Sequence, residues 1–147
     1  MSWVRVYIHF VFSTKNRTPF LSSKELRFKV FEHIKLNAKE KGIWLDCVNG
    51  YHDHIHCLVS LGTTETISDM ARLIKGESSF WINKNKLTRG KFNWQDDYWA
   101  VGVSESHVTD VRNYILTQEE HHRNVSFSEE IDVFMKKYGW KIIKGGN

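Results

Sequence analysis

In the run His54-Ile55-His56-Cys57-Leu58-Val59-Ser60-Leu61, the residues Ile55, Cys57, Val59 and Leu61 recur at every second position. Side chains of a strand point alternately to opposite faces, so these four form one apolar face while His54 and His56 share the other. The opening segment repeats the pattern. Val4, Val6, Ile8, Phe10 and Phe12 fall on one side, and Arg5, Tyr7 and His9 on the other. Strands of this kind must be covered on the apolar side, which restricts the chain to a layered fold with one helix-covered face.

The remaining elements fit that requirement. Ser22 and Glu25 have the spacing of a capping box, and Leu26, Val30, Phe31 and Ile34 then recur at helical spacing up to Gly42. A strand follows at 43–49, then the histidine strand at 54–61. Thr66 and Asp69 open a second helix that buries Ile67, Met70, Ala71, Ile74 and Trp81. After a basic, polar loop at 86–97 comes a fourth strand at 98–103. Ser104 or Ser106 caps a helix running to about His122, and a weaker helix spans 128–137. The βαββαβ order predicts an α+β fold: a ferredoxin-like four-stranded antiparallel sheet with two helices on one face and a C-terminal tyrosine-bearing helix. With 147 residues, 41% of them apolar, one domain is expected over 1–147, with a core at 3–122 and a C-terminal helix and tail at 123–147.

No run is long and apolar enough to span a bilayer, and the N-terminus reads as a strand, not a signal peptide. Cys47 and Cys57 fall within predicted strands and are expected as reduced core thiols. The formal net charge is +4, weak support for a polyanionic partner. Its distribution says more: Arg72, Lys75, Lys84, Lys86, Arg89 and Lys91 are interleaved with Phe80, Trp81, Phe92 and Trp94. Cations among aromatic rings suit single-stranded nucleic acid; a solvated helix and loop whose aromatics belong to the core would give the same pattern.

Two imidazoles side by side on a sheet face are half of a metal site. About sixty residues later, Tyr114 and Gln118 lie four apart on a predicted helix and so share a face. His54, His56 and Gln118 would offer two nitrogens and a neutral oxygen, a set that suits Mg²⁺ or Mn²⁺ on a phosphate; the histidines alone would suit zinc as well. Tyr114 would then be the nucleophile. His9, His52 or Asp53 could take its proton; Asp53 could equally orient an imidazole or cap a turn. Lys15, Arg17 and Lys75 are candidate phosphate contacts. His121 and His122 diverge by about 100° if helical, so they are not expected to face one ion.

These motifs, Asp53-His54-Ile55-His56 and Tyr114-Ile115-Leu116-Thr117-Gln118, resemble those of the small insertion-sequence transposases of the HUH single-tyrosine class. The resemblance extends over about 3–122. It takes in Ser13-Thr14-Lys15-Asn16-Arg17-Thr18-Pro19, Leu73-Ile74-Lys75-Gly76-Glu77-Ser78-Ser79 and Trp94-Gln95, and from about Asn124 nothing matches. It implies a DNA transposase that cleaves and rejoins single-stranded DNA through a 5′-phosphotyrosine, with Mg²⁺ or Mn²⁺ as cofactor. It also implies hairpin ends of a mobile element as partner and a homodimer in which the tyrosine helix of one subunit completes the other's site. Residues between Val103 and His107 would be the hinge, and the setting would be a bacterial or archaeal cytoplasm, at the nucleoid. Alternatives are a non-catalytic module of RNA-recognition type, disfavoured because histidines stand where stacking aromatics are needed, a zinc hydrolase, which leaves Tyr114 unexplained, and a domesticated single-strand nuclease.

Overall fold

The structure, a computed structural model, describes residues 2–138; the tail at 144–147 lies outside them. Four strands, β1 (Val6–Ser13), β2 (Trp44–Gly50), β3 (His54–Leu61) and β4 (Trp99–Val103), form one antiparallel sheet in the order β2-β3-β1-β4. Helices α1 (Lys24–Glu40) and α2 (Ile67–Lys84) are the two crossovers. Their buried residues, Val30, Phe31 and Ile34 from α1 and Met70, Ala71, Ile74 and Ile82 from α2, pack with Ile8, Phe10, Phe12, Ile55, Cys57 and Val59. The alternation thus places the main core on the expected side of the sheet, giving the expected ferredoxin-like α+β fold. Val4 and Val6 depart from the pattern: both are exposed, Val4 ahead of the first strand and Val6 at its first residue.

Helix α1 starts one residue later than its sequence suggests. Ser23, not Ser22, is the N-cap, its Oγ accepting from Leu26 N–H. Thr66 caps α2 as expected, accepting from Asp69 N–H. In the basic segment the aromatics divide. Phe92 and Trp94 are buried against Phe12 and Phe20, with Trp94 Nε1–H donating to Ser78 Oγ, whereas Phe80 is exposed beneath Lys84. For Phe92 and Trp94 the core reading therefore holds. Cys47 and Cys57 are both buried free thiols. Among the described residues no helix is long and apolar enough to cross a membrane.

The second face of the sheet receives α3 (Val108–Leu116), α4 (Gln118–His121) and α5 (Phe127–Tyr138). Val108 and Ile115 bury against Cys47 and Leu58, and Arg112 forms a two-pronged ion pair with Asp46 of β2. The expected single helix to His122 is broken at Thr117, whose Oγ donates to the Asn113 carbonyl. Asn49 of β2 explains the break: its Nδ2 donates to the carbonyls of Ile115 and Leu116, taking the acceptors that a continuing helix would use. Neither Ser104 nor Ser106 caps α3. A 3₁₀ turn, Glu105–His107, precedes it, with Ser104 Oγ 2.7 Å from His107 Nδ1.

Candidate active site and metal centre

The turn before β3 fixes the first histidine. Gly50 abuts the His54 carbonyl so closely that a β-carbon would collide with it. Thr14 N–H and Leu21 N–H donate to the carbonyls of Asp53 and His52. Asp53 is thereby held with Oδ1 2.9 Å from His54 Nδ1. Of the roles open to it, orienting the imidazole is the one this contact fits. On the same face His56 Nδ1 lies 2.9 Å from Nε2 of His9, which comes from the neighbouring strand β1. Each histidine thus has a partner at Nδ1 and turns Nε2 toward α3–α5.

From the broken helix, Gln118 sends its Oε1 to 3.1 Å from His54 Nε2. Its amide is oriented by Nε2–H, which donates to the Tyr114 carbonyl at 3.4 Å and Glu130 Oε2 at 3.5 Å. Tyr114 lies edge-on to His56, ring centroids 5.6 Å apart, and edge-on to His9 at 6.3 Å. All four motif residues therefore converge, and they do so within one chain. Tyr114 borders a cavity of about 700 Å³ between the end of β4, α3 and α5, walled by Val103, Val111 and Val125.

Two residues at the centre carry no role in the sequence reading. Glu130, on α5, is buried, with Oε1 3.0 Å from His56 Nε2 and 3.5 Å from His54 Nε2, while Oε2 accepts from the Tyr114 hydroxyl. His122 is buried beside His54, ring centroids 4.4 Å apart. Ligand atoms of His54, His56, His122 and Glu130 all lie within 4.8 Å of one another. His121 and His122 both approach Glu130 Oε2, at 3.1 and 3.4 Å. Of the two, His122, four residues after Gln118 and on the same side of the helix, is the one whose ligand atom joins the group. Glu130 did leave a trace in the sequence: it shares the side of α5 that carries Phe127 and Ile131, an acid on an otherwise apolar face.

Burial pushes the His9 imidazole down to about 3, helped by neighbouring His56, and His56 down to about 4 against the pull of Glu130. Burial works to raise the Glu130 carboxyl, but His122, His56 and Tyr114 outweigh it and hold it well below the usual carboxylate range. Neutral imidazoles beside an ionised carboxylate are the states in which these groups bind a cation.

The donor set fits a divalent ion on two further counts. His54 Nε2 and Gln118 Oε1 lie 3.1 Å apart, while Asp53 Oδ1 takes the Nδ1 side; a cation beside both would have a nitrogen and an oxygen donor. His122 Nδ1–H donates to the Val125 carbonyl, which turns its buried Nε2 toward Glu130 Oε2, 3.4 Å away. Farther out, Arg17 donates to Ser128 Oγ at 2.7 Å and lies over the Phe127 ring, and Lys15 is exposed in the adjoining 3₁₀ turn. Lys75 sits on α2, across the sheet from the histidines, its ammonium donating to the carbonyls of Gln95 and Asp96.

The fold is shared with solved transposases. A candidate transposase from Deinococcus radiodurans R1, solved at 1.90 Å, superposes with a TM-score of 0.64 at 22% identity, over 80% of this chain and 93% of that one. A REP-associated tyrosine transposase bound to a REP hairpin superposes with a TM-score of 0.54 at 16% identity, over 78% of this chain and 65% of that one. No curated protein sequence matches significantly. The family model described as "Transposase IS200 like" matches residues 2–118, a span that contains both motifs and stops short of His122 and Glu130. By that match the chain belongs to the IS200-like transposase family.

Proposed function

We propose that this transposase cleaves and rejoins single-stranded DNA, with Tyr114 as nucleophile and His54, His56 and Gln118 as holders of Mg²⁺ or Mn²⁺. The observation that carries the reading is the convergence of Tyr114 and Gln118 on the two histidines, with Gln118 Oε1 3.1 Å from His54 Nε2. A bound ion would neutralise a nonbridging phosphate oxygen and stabilise the departing 3′ oxygen. Asp53 and His9 hold the two imidazoles by their Nδ1 atoms, leaving Nε2 for the ion. The Tyr114 oxygen forms a bond to phosphorus as the bond to the 3′ oxygen breaks, giving a 5′-phosphotyrosine and a 3′ hydroxyl. Attack by a second 3′ hydroxyl reverses the step and joins strands, the phosphodiester energy having been kept in the tyrosyl link. Without DNA the Tyr114 hydroxyl donates to the Glu130 carboxylate; Asp53 is committed to His54 and His52 stacks on Tyr51.

The hairpin bound by the REP-associated relative supports hairpin DNA from the ends of a mobile element as the substrate, handled at the nucleoid. Lys15 and Arg17, beside the site, suit its phosphates; Lys75 would have to meet DNA on the far face. The chain reads as one domain throughout, since α3–α5 pack on the sheet that α1 and α2 cover from behind. A homodimer is supported by the outer edge of β4: Trp99–Val103 holds neither a charge nor a proline to discourage pairing with a second copy.

Incubation with Mn²⁺ or Mg²⁺ and labelled single-stranded DNA from the flanks of the gene tests the reading on a denaturing gel. A covalent protein–DNA adduct is expected, lost in Tyr114→Phe and in His56→Ala. An adduct that persists in Tyr114→Phe would remove the nucleophile from this account. DNA binding without any adduct would leave a binding protein.

A further inference from the structure

Glu130 occupies a place that the proposed reaction needs for something else. A phosphodiester about to be cleaved must touch the ion with one oxygen while its phosphorus faces the Tyr114 oxygen. Here the group between the metal-binding nitrogens and the nucleophile is a carboxylate: Glu130 Oε1 lies 3.0 Å from His56 Nε2 and 3.5 Å from His54 Nε2, and Oε2 accepts from the Tyr114 hydroxyl. We propose that Glu130 is itself a ligand of the ion and stands in for the phosphodiester, so that α5 is a latch over the closed active site. This rests on the metal-dependent reading above.

Three features support the latch. The buried His122 Nε2, 3.4 Å from Glu130 Oε2, is turned into the same cluster by the bond from its Nδ1 to Val125. The stretch 122–130 thus brings a nitrogen and a carboxylate to one point, as a metal clip does. Among the described residues, helix α5 is held outside the main core. Its Phe127 and Ile131 pack on Val11, Trp99 and Tyr114, a cluster separate from the main core, and Ser128 is tied to Arg17 on the surface. An element held by a satellite cluster can open without unfolding the main core. Finally, a carboxylate is an oxygen donor with one negative charge, as a phosphodiester is, so exchanging one for the other leaves the ion's surroundings balanced.

The test uses the full chain and Mn²⁺, with dimethyl phosphate as the phosphodiester. Calorimetric titration gives the Mn²⁺ affinity of wild type, Glu130→Gln, Ile131→Ala and His54→Ala. ³¹P relaxation of dimethyl phosphate then reports how closely phosphate approaches the bound ion. Expected is a loss of at least about tenfold in Mn²⁺ affinity for Glu130→Gln, with ³¹P relaxation per bound ion raised several-fold over wild type. Ile131→Ala keeps every ligand but loosens α5, and should raise the relaxation in the same direction. Unchanged affinity in Glu130→Gln would overturn the ligand; reduced affinity without enhanced relaxation in either variant would overturn the latch. If wild type and His54→Ala bind Mn²⁺ alike, the histidine site itself fails, and with it the reading on which the latch rests.

Discussion

Asp53 Oδ1 lies 2.9 Å from His54 Nδ1, and an imidazole that donates there presents its other nitrogen as a lone pair toward Gln118. That dependence makes Asp53 testable without any DNA. Asp53→Asn keeps the size of the side chain but loses the charge that favours this tautomer, and Mn²⁺ affinity should fall about ten- to a hundredfold, the usual effect of losing a partner behind a metal ligand. Calorimetric titration measures it. An unchanged affinity would reduce Asp53 to a turn residue. His9 acts on His56 in the same manner but from a different strand. It places the second imidazole by the register of β1 against β3, in which Val11 is the residue opposite His56 and His9 follows two positions away on the same face.

At the level of elements, the docking of α3 decides whether Tyr114 reaches the histidines, and an ion pair carries part of it. The hydrogen bonds from Arg112 hold the Asp46 carboxyl below its usual value, against the opposing effect of burial. A carboxyl whose pKa is lower folded than unfolded adds stability above the unfolded value, near 3.8, and loses it as the pH falls through the folded value. Arg112→Gln removes that contribution. Urea midpoints between pH 7 and pH 3 should therefore fall less steeply in the variant than in wild type; parallel curves would mean that the pair does not anchor the helix. Packing supplies the larger share. Ile115 is fully buried among Leu58, Cys47 and Val108, and Ile115→Ala should cost about 2–5 kcal/mol in urea unfolding. The strands and both crossover helices were legible because period-two and helical spacing are local properties, and so was the pairing of His54 and His56 on one face. The break at Thr117 was not, because its cause is Asn49, more than sixty residues away. His122 was within reach of the sequence: it follows Tyr114 and Gln118 at the same four-residue spacing and so shares their side of a helix. Glu130 could have been found by asking why an acid sits on the apolar side of α5.

For the whole molecule the open question is which chain supplies the tyrosine. The family resemblance implies sites shared between subunits, whereas here α3 lies on its own sheet, with Tyr114 5.6 Å from His56 of the same chain between ring centroids. The contacts that hold it there are substantial: the Arg112–Asp46 pair, the two bonds from Asn49 and the burial of Val108 and Ile115. The connection that would have to swing is short, since Val103 ends β4 and Val108 starts α3. In between, the exposed Arg5–Glu105 pair adds little resistance. Exchange would therefore have to break the α3 interface, not the link. Mixing His56→Ala with Tyr114→Phe separates the two arrangements: if each chain uses its own tyrosine, every site in the mixture lacks one essential group. Sites built from two chains would pair intact histidines with an intact tyrosine in part of the population. The structure favours the first outcome, so the mixture should form no covalent DNA adduct on a denaturing gel. A recovered adduct would show that α3 leaves its own sheet and that the dimer completes the active site.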